Sequence, residues 1–388
     1  MFIAKLIKKI VPLLIVSLAL TSLVQAAPWK FGVMGDTQWT CPNDPARQNP
    51  HSVPISIIDQ INRQFIQAGV KFVIQVGDLT DKGTNTAETT RAKAAQALYD
   101  ANIGFFPMRG NHETYGTKDY AVGVFRANYP QTRGISAVFG AANFSSPALV
   151  SAAGADLNGL SYSFDYGDPC NNARFVIIDD WAIPGKVIKI PGLAGIEYGF
   201  SFGDQQDWLS SRLDKKTRGT EHVFVFSHQP LIAESHQDCP FIGYTNANPD
   251  MQNAFFASLQ NNGVKYYICG HDHLYKHSAI TSPDGKSGIE QIICTSCSSK
   301  FYTPVPAGDP NWFGQKAREK IFSRDLYHVG FCIFTVDGPK VTVEYYSDKH
   351  GRWQSDSDFP SGRSDVNNQI TPAFQFDIND TFTYTLSD

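Results

Sequence analysis

The sequence predicts an α/β fold in which parallel strands alternate with helices. Short apolar runs typical of buried strands are separated by segments whose apolar residues repeat at helical spacing, first after Pro54 and again in the alanine-rich stretch 86–101. Because strand–helix–strand order favours a parallel sheet with helices outside it, we expect such a sheet in the first part of the chain.

The second half of the chain predicts further strands. Apolar or alternating runs lie at 162–167, 175–178, 331–336 and 341–346. The last two flank Asp337-Gly338, which is a hairpin signal. We therefore expect a second sheet, with the segment 374–386 adding an edge strand or hairpin.

Five apolar runs break off into compact polar clusters. The runs are 31–34, 72–76, 103–108, 222–226 and 265–269. The clusters that follow them are Asp36-Thr37-Gln38, Gly77-Asp78-Leu79-Thr80-Asp81, Gly110-Asn111-His112-Glu113, His228 and Gly270-His271-Asp272-His273. Ligands of open α/β sheets bind at the edge where strands end. Carboxylate, amide oxygen and imidazole gathered there predict a site for divalent metal of intermediate hardness, and one such site could hold two ions.

The order and spelling of these clusters resemble the calcineurin-like metallophosphoesterase superfamily, whose pattern runs Asp-x-His, Gly-Asp-x-x-Asp, Gly-Asn-His-Glu/Asp, His and Gly-His-x-His. The resemblance spans residues 31–273, and Gln38 stands where the first block usually carries His. It implies a four-layer α-β-β-α sandwich of two mixed sheets, with a dinuclear metal site at the carboxyl ends of the strands.

The same resemblance implies ligands for two divalent ions, which could be Mn, Fe, Zn or Mg. The first ion would take Asp36, Gln38, Asp78 and His273, and the second would take Asp78, Asn111, His228 and His271. A water bridging the two cations would be acidified and become the hydroxide nucleophile. The amide oxygen of Gln38 would make the first site harder, which favours Mn or Fe there.

In the family, the histidine that follows the ligand asparagine reaches over the metals rather than binding them. His112 is therefore the expected general acid that protonates the leaving alkoxide. By resemblance, Asp81 would hold that histidine and favour its imidazolium form. Asp81 also replaces the iron-ligand tyrosine of purple acid phosphatases, so a charge-transfer iron site is not expected. Glu113 is expected to be structural.

Substrate contacts are predicted less directly. Arg109 precedes the third cluster and could contact phosphate or form a surface salt bridge. The segments 134–159 and 234–249 lack periodicity and follow ligand-bearing blocks, so we expect them to shape the substrate entrance. His236 lies in the second of these segments and is a candidate substrate contact, and Tyr302 could stack on an aromatic group or simply pack.

The seven cysteines form an odd count, which leaves at least one free thiol in an exported chain. Those in polar loops are the better disulfide candidates, namely Cys41, Cys170 and Cys239. Those in strand-like runs are expected to be small buried apolar residues, namely Cys269, Cys294 and Cys332. No second pair supports a structural metal at Cys294 and Cys297.

The first residues have the features of a targeting signal. Three lysines precede an uncharged apolar stretch, 10–23, and small residues follow it. This pattern predicts a signal peptide, 1–26, that is cleaved after Ala26. We expect the rest of the chain, 27–388, to form one phosphoesterase domain with a β extension at about 370–388. The stretch is shorter than the roughly 20 residues of a membrane span. An uncleaved anchor is the alternative, and no later segment is expected to span a bilayer.

Removing the predicted signal takes the formal net charge from −4 to −7, because its three lysines are its only charges. No basic cluster argues for nucleic acid as a partner. We therefore expect a secreted or periplasmic hydrolase of small phosphomonoesters or phosphodiesters. The alternatives are a catalytically silent binding protein on the same fold, and a metal-dependent nuclease that the acidic charge disfavours.

Overall fold

The computed structural model describes residues 26–40, 44, 47–114, 118–150, 156–179, 181, 186–188, 196–198, 202–241, 247–306, 315–348 and 373–386. The predicted signal peptide lies outside these residues except for Ala26, as do Cys41 and the polar stretch 351–368. Among the helices that are described, none is both long enough and apolar enough to cross a membrane.

The described elements follow one another with strands and helices interleaved. The strands are β1 (Trp29–Met34), β2 (Phe72–Gln75), β3 (Gly104–Pro107), β4 (Ala142–Ser145), β5 (Tyr162–Asp168), β6 (Asn171–Ile177), β7 (Lys186–Ile188), β8 (Ile196–Tyr198), β9 (His222–Phe226), β10 (Tyr266–Cys269), β11 (Tyr275–Thr281), β12 (Gly288–Ile293), β13 (Glu319–Asp325), β14 (Gly330–Asp337), β15 (Lys340–Asp348) and β16 (Phe376–Thr385). The helices are α1 (Ile55–Ala68), α2 (Asn85–Lys93), α3 (Gln96–Asp100), α4 (Lys118–Asn128), α5 (Gln206–Leu213) and α6 (Pro249–Asn261).

The first sheet is mixed and has the strand order β16-β15-β14-β1-β2-β3. Strands β1, β2 and β3 run parallel, so the loops that leave them emerge at one edge. Strands β14 and β15 form the predicted hairpin around Gly338, whose φ of 55° suits a tight turn. Strand β16 pairs antiparallel with β15 and confirms the predicted edge strand.

The second sheet is also mixed, with the order β13-β11-β12-β10-β9-β6-β5-β4. Its central strands β6, β9, β10 and β12 are parallel, and antiparallel strands complete both sides. The two short strands β7 and β8 pair with each other in a separate two-stranded sheet.

The two sheets face each other across an aromatic core. Phe31 of the first sheet lies 5.0 Å from Phe175 and 5.1 Å from Phe224 of the second, measured between ring centroids. Side chains of the central strands alternate between this core and the outer faces, because successive side chains of a strand point to opposite sides. The central strands are therefore buried on both faces, which explains their nearly continuous apolar runs.

Helices cover both outer faces. Helices α1 to α4 pack on the first sheet through side chains such as Ile58, Phe65 and Leu98. Helices α5 and α6 pack on the second through Leu209, Phe255 and others. These layers confirm the predicted α-β-β-α fold with two mixed sheets.

The prediction of one helix over 86–101 was wrong. The structure has α2 and α3 instead, and the break falls at Ala94, whose carbonyl oxygen accepts a hydrogen bond from Asn62 Nδ2 at 2.9 Å. A carbonyl held by α1 is less available to the next helical turn. This is a long-range contact that the local alanine-rich composition does not reveal.

The expectation that 134–159 lacks regular structure also needs correction, because β4 lies within it and pairs with β5. Phe144 of β4 packs on Phe164 with ring centroids 5.6 Å apart. The pattern was missed because β4 lies at the sheet edge, where its exposed residues show no apolar alternation.

Candidate metal centre

All five polar clusters lie at the carboxyl ends of parallel strands. The loops after β1, β2 and β3 come from the first sheet, and the loops after β9 and β10 come from the second. Backbone hydrogen bonds join neighbouring loops, from Thr37 N to Asp78 O at 2.8 Å and from Gly270 N to His228 O at 3.0 Å. The topology therefore gathers residues that lie up to 237 positions apart in sequence.

Close approach of these loops requires unusual backbone. Three residues of the site, Asp78, His271 and His273, have φ values of 45°, 73° and 52°. These values lie in the left-handed region, which non-glycine residues rarely adopt. A Cβ atom at Gly110 would lie 2.1 Å from Asp78 Oδ1, so only glycine fits there. Strain of this kind persists where the surrounding structure over-determines the conformation, and it clusters at functional sites.

Two groups of buried side chains could each hold a metal ion. One group consists of Asp36, Asp78 and His273, and the other of Asp78, His228 and His271. Within each group the donor atoms lie within 4.8 Å of one another. Asp78 belongs to both groups, which is the arrangement that a bridging carboxylate requires.

Amide side chains accompany both groups. Gln38 Nε2 donates to Asp78 Oδ2 at 3.2 Å, and Gln38 Oε1 is buried with no hydrogen-bond donor among the described residues. Asn111 Oδ1 lies 3.2 Å from His228 Nε2. A buried amide oxygen without a donor is costly, so the position of Gln38 Oε1 fits a metal ligand.

In each candidate histidine ligand, one ring nitrogen contacts an oxygen atom outside the ligand groups. Nδ1 of His228 lies 2.7 Å from Val76 O, and Nδ1 of His273 lies 2.8 Å from Lys300 O. Nε2 of His271 lies 3.3 Å from the Asp238 carboxylate. These contacts fix ring orientation and leave the other nitrogen of each ring for the centre, as in metal sites generally.

Burial governs the electrostatics. Desolvation raises the pKa of Asp36 to about 7, although the neighbouring His228 partly opposes this. Desolvation acts on Asp78 too, but the imidazole charges of His228 and His112 outweigh it and hold the pKa of Asp78 well below its usual range. Burial opposes charge on His228, yet Asp78 and Asp36 raise its pKa to about 10. The buried carboxylates therefore depend on nearby positive charge to stay ionised, and divalent cations would supply that charge. The donor set fits two divalent ions.

His112 stands at the rim of the centre, with 21% of its side chain exposed. Its Nε2 lies 3.8 Å from Asp78 Oδ2. Its Nδ1 lies 2.7 Å from the main-chain oxygen of Asp81, whereas the Asp81 carboxylate is 3.9 Å away. The backbone of Asp81 therefore makes the nearer contact, rather than the carboxylate that the resemblance implies.

Glu113 joins two of the loops. Its carboxylate accepts hydrogen bonds from Gly110 N at 2.8 Å and from Thr80 N at 3.1 Å. Burial raises its pKa well above the usual value, and Glu88 and Asp78 add to this effect. These contacts agree with the structural role expected from the sequence.

The two candidate substrate contacts lie in different environments. Arg109 is buried, with Nε 2.7 Å from Asp179 Oδ2, so the predicted surface salt bridge is instead an interior one. Contact of Arg109 with phosphate stays a prediction that this burial disfavours. His236 stacks near His271 with ring centroids 3.9 Å apart, and its Nδ1 lies 2.8 Å from Asp272 Oδ1. Of the two predicted entrance segments, the one after His228 reaches the centre.

Sequence reasoning missed the loop after β12. This strand runs parallel to β10, so residues 294–300 emerge at the same edge as the His271 cluster. Cys297 N donates to Asp36 O at 2.9 Å and Ser299 N to Gln38 O at 3.1 Å. The signal was present, because a short apolar run, 292–294, ends in the stretch 295–300, which is mostly polar.

Among the residues that the structure describes, no cysteine belongs to either ligand group. Cys269, Cys294 and Cys332 are buried in strands or strand ends, which confirms their expected apolar role. Burial raises the pKa of the Cys294 thiol well above its usual value, with Cys332 contributing. Cys170 is exposed and Cys239 is buried, and the disulfide pairing stays a prediction.

Comparison with known proteins agrees with this architecture. The sequence profile described as calcineurin-like phosphoesterase matches residues 30–275. No curated protein sequence matches the chain significantly. A solved purple acid phosphatase, PPD1 from yellow lupin (Lupinus luteus) seeds, has 15% identity and a TM-score of 0.52, with 93% of this chain and 54% of that chain covered. The chain thus spans about half the length of that protein.

A solved structure of PhoD is similar to the same degree. It has 13% identity and a TM-score of 0.51, with 93% of this chain and 70% of that chain covered. At such identities, the two structural similarities establish the fold alone.

Proposed function

The chain belongs to the calcineurin-like phosphoesterase family, and from this premise we propose that it is an exported hydrolase of phosphomonoesters or phosphodiesters that uses two divalent metal ions. The observation that carries the proposal is the pair of buried ligand groups sharing Asp78. A silent binding protein on this fold would not need both a shared carboxylate and a histidine at the rim. The acidic chain disfavours a nuclease.

The chain's residues divide the work. Asp36, Gln38 and His273 would hold one ion, Asn111, His228 and His271 the other, and Asp78 both. When bound, such ions activate water and stabilise the negative charge of a transferring phosphoryl group. The metal could be Mn, Fe, Zn or Mg, and the oxygen donor of Gln38 favours Mn or Fe at the first position.

His112 would deliver the proton that the leaving alkoxide needs. Its Nδ1 can donate to Asp81 O at 2.7 Å, which leaves Nε2 turned toward Asp78 and the space above the ligand groups. An imidazolium in that orientation carries its transferable proton on the side of the centre. Asp81 would support this orientation through its backbone, and His236 could contact the substrate from the neighbouring loop.

The decisive experiment combines elemental analysis with an ester panel. Protein reconstituted separately with Mn, Fe, Zn and Mg is assayed against nitrophenyl phosphate and methyl nitrophenyl phosphate. We expect two ions per chain and turnover of at least one ester. Asp78→Asn should lose at least one ion and nearly all turnover, whereas the exposed Asp168→Asn should behave as wild type. Two ions with no turnover of any ester would favour the binding-protein alternative.

Export rests on the N-terminal segment and is tested separately. The full chain is produced in a bacterial host that has a secretory pathway, and the exported protein is sequenced from its N-terminus. Cleavage after Ala26 predicts Ala27 as the first residue. Recovery of the uncleaved chain with membranes would instead indicate an anchor.

A further inference from the structure

Lys300 is fixed beside the centre by its backbone. Its carbonyl oxygen accepts hydrogen bonds from Ser296 Oγ at 2.8 Å and lies 2.8 Å from His273 Nδ1. Its N–H donates to Ser298 Oγ at 3.0 Å. The loop that carries it also bonds to the backbone of Asp36 and Gln38, so the position of Lys300 relative to the ligand groups is set by several contacts.

The side chain of Lys300 lies against the Tyr302 ring, which contacts two histidines of the site. Its Nζ lies 5.2 Å from the centroid of the Tyr302 ring, and that ring lies 5.0 Å from His273 and 4.8 Å from His236. Burial opposes charge on Lys300, but Tyr302, Asp78 and Asp81 together raise its pKa. The ammonium group therefore lies against a ring that also contacts His273 and His236, two histidines of the site.

Two other cations in this region, Arg109 and Lys276, are already paired. Arg109 is bound to Asp179, and Lys276 is buried with Nζ 3.0 Å from Glu234 Oε1 and in contact with Glu319. Within the part of the chain that the structure describes, no carboxylate forms a salt bridge with Lys300. Its ammonium contacts Tyr302, and an ammonium has three donors, so donors remain for an anion.

We infer that Lys300 binds a non-bridging phosphoryl oxygen of the substrate and gives the centre a preference for phosphomonoesters over phosphodiesters. This inference rests on the proposed function. A monoester carries close to two negative charges at neutral pH, whereas a diester carries one. A cation directed at a non-bridging oxygen therefore stabilises the monoester more, because the Coulomb attraction grows with the negative charge on the phosphoryl group.

The kinetic test compares two esters with one leaving group. For Lys300→Ala and Lys300→Gln, kcat/KM for nitrophenyl phosphate should fall about 10- to 100-fold, with much of the loss in KM. For methyl nitrophenyl phosphate it should fall less than about 3-fold. Lys300→Arg should restore part of the monoester rate, and the exposed Lys286→Ala is the matched control. An equal loss for both esters, or no loss, would overturn the inference.

A binding measurement separates this inference from the proposed function. Inorganic phosphate is titrated calorimetrically into metal-loaded wild type and Lys300→Ala at equal metal content, which elemental analysis verifies. The His273 contact is to the Lys300 backbone, so the substitution should leave the metals in place. Phosphate should bind the variant about 10- to 100-fold more weakly, and unchanged affinity would refute the role of Lys300. If wild type hydrolyses neither ester, the proposed function fails, while this titration still decides whether Lys300 binds phosphate.

Discussion

Gln38 is the residue at which the chain departs from the usual motif of its family, and its side-chain oxygen is also a buried acceptor without a donor among the described residues. The same side chain donates to Asp78, the carboxylate common to both ligand groups. The departure therefore lies at the position where one donor atom can change which metal the first group prefers.

Gln38→His should shift the metal preference of the first group from Mn toward Zn, because imidazole nitrogen suits Zn better than an amide oxygen does. Competitive calorimetric titration of both metals against wild type and variant measures the shift. Gln48→His, at an exposed position, is the control. Unchanged selectivity would mean that Gln38 orients water or substrate and is not a metal ligand.

His112→Ala should keep its metals but hydrolyse alkyl phosphates about 10²- to 10⁴-fold more slowly, which is the usual contribution of a general acid. The loss should shrink for a nitrophenyl ester, whose leaving group hardly needs a proton. Steady-state rates for the two substrates, with metal content measured in parallel, decide between the outcomes. The same loss for both esters would remove His112 from the acid role.

The Asp81 geometry supplies a comparison for that variant. Asp81→Asn keeps the main-chain oxygen that lies 2.7 Å from His112 Nδ1, so we expect a loss below about 10-fold on alkyl phosphates. A loss as large as that of His112→Ala would show that the carboxylate, and not the carbonyl, orients the imidazole.

At the scale of elements, the site depends on loops that are tied to one another as well as to their strands. Glu113 bonds the loop after β2 to the loop after β3 through Thr80 N and Gly110 N. The loop after β12 is tied in the same way to the loop after β1 through Cys297 N and Asp36 O. These cross-links hold the ligand groups in place even where individual residues carry backbone strain.

Glu113→Ala leaves two buried N–H groups without an acceptor, so the free energy of unfolding should fall by about 1–3 kcal/mol or somewhat more. Glu113→Gln keeps one acceptor oxygen, so its free energy of unfolding should lie between those of wild type and Glu113→Ala. Denaturant unfolding of the metal-free proteins measures the effect, with the exposed Glu221→Ala as the control. Equal stability of all four proteins would contradict the cross-linking role.

At the scale of the whole molecule, the two sheets must keep a fixed position relative to each other for their edges to form one centre. The aromatic core between the two sheets fixes that position. Phe175 of the second sheet contacts Phe31 and Phe72 of the first, with ring centroids 5.0 Å and 4.9 Å apart. The ligand groups draw on both sheets, so packing far from the site helps to define it.

Phe175→Ala should lower the free energy of unfolding by about 3–5 kcal/mol, the usual cost of removing a buried phenyl ring. Metal affinity should weaken with it, because the two sheets lose a shared contact. Urea unfolding and metal titration measure the two effects. Ile378→Thr, at a residue that is 50% exposed, should change stability by no more than about 0.5 kcal/mol. Similar stabilities for both variants would count against the core's role.

The sequence alone determined the fold class, the strands that carry the polar clusters and the family, because periodicity and short motifs are local properties. Asp36, Asp78, His228, His271 and His273 could be grouped from their places at strand ends. Tertiary structure decided which atoms they meet. Lys300 lies at the site because β12 pairs with β10, which the sequence does not reveal. Arg109 is buried because it forms an ion pair with Asp179. Contacts between residues far apart in sequence depend on packing, and no local pattern encodes them.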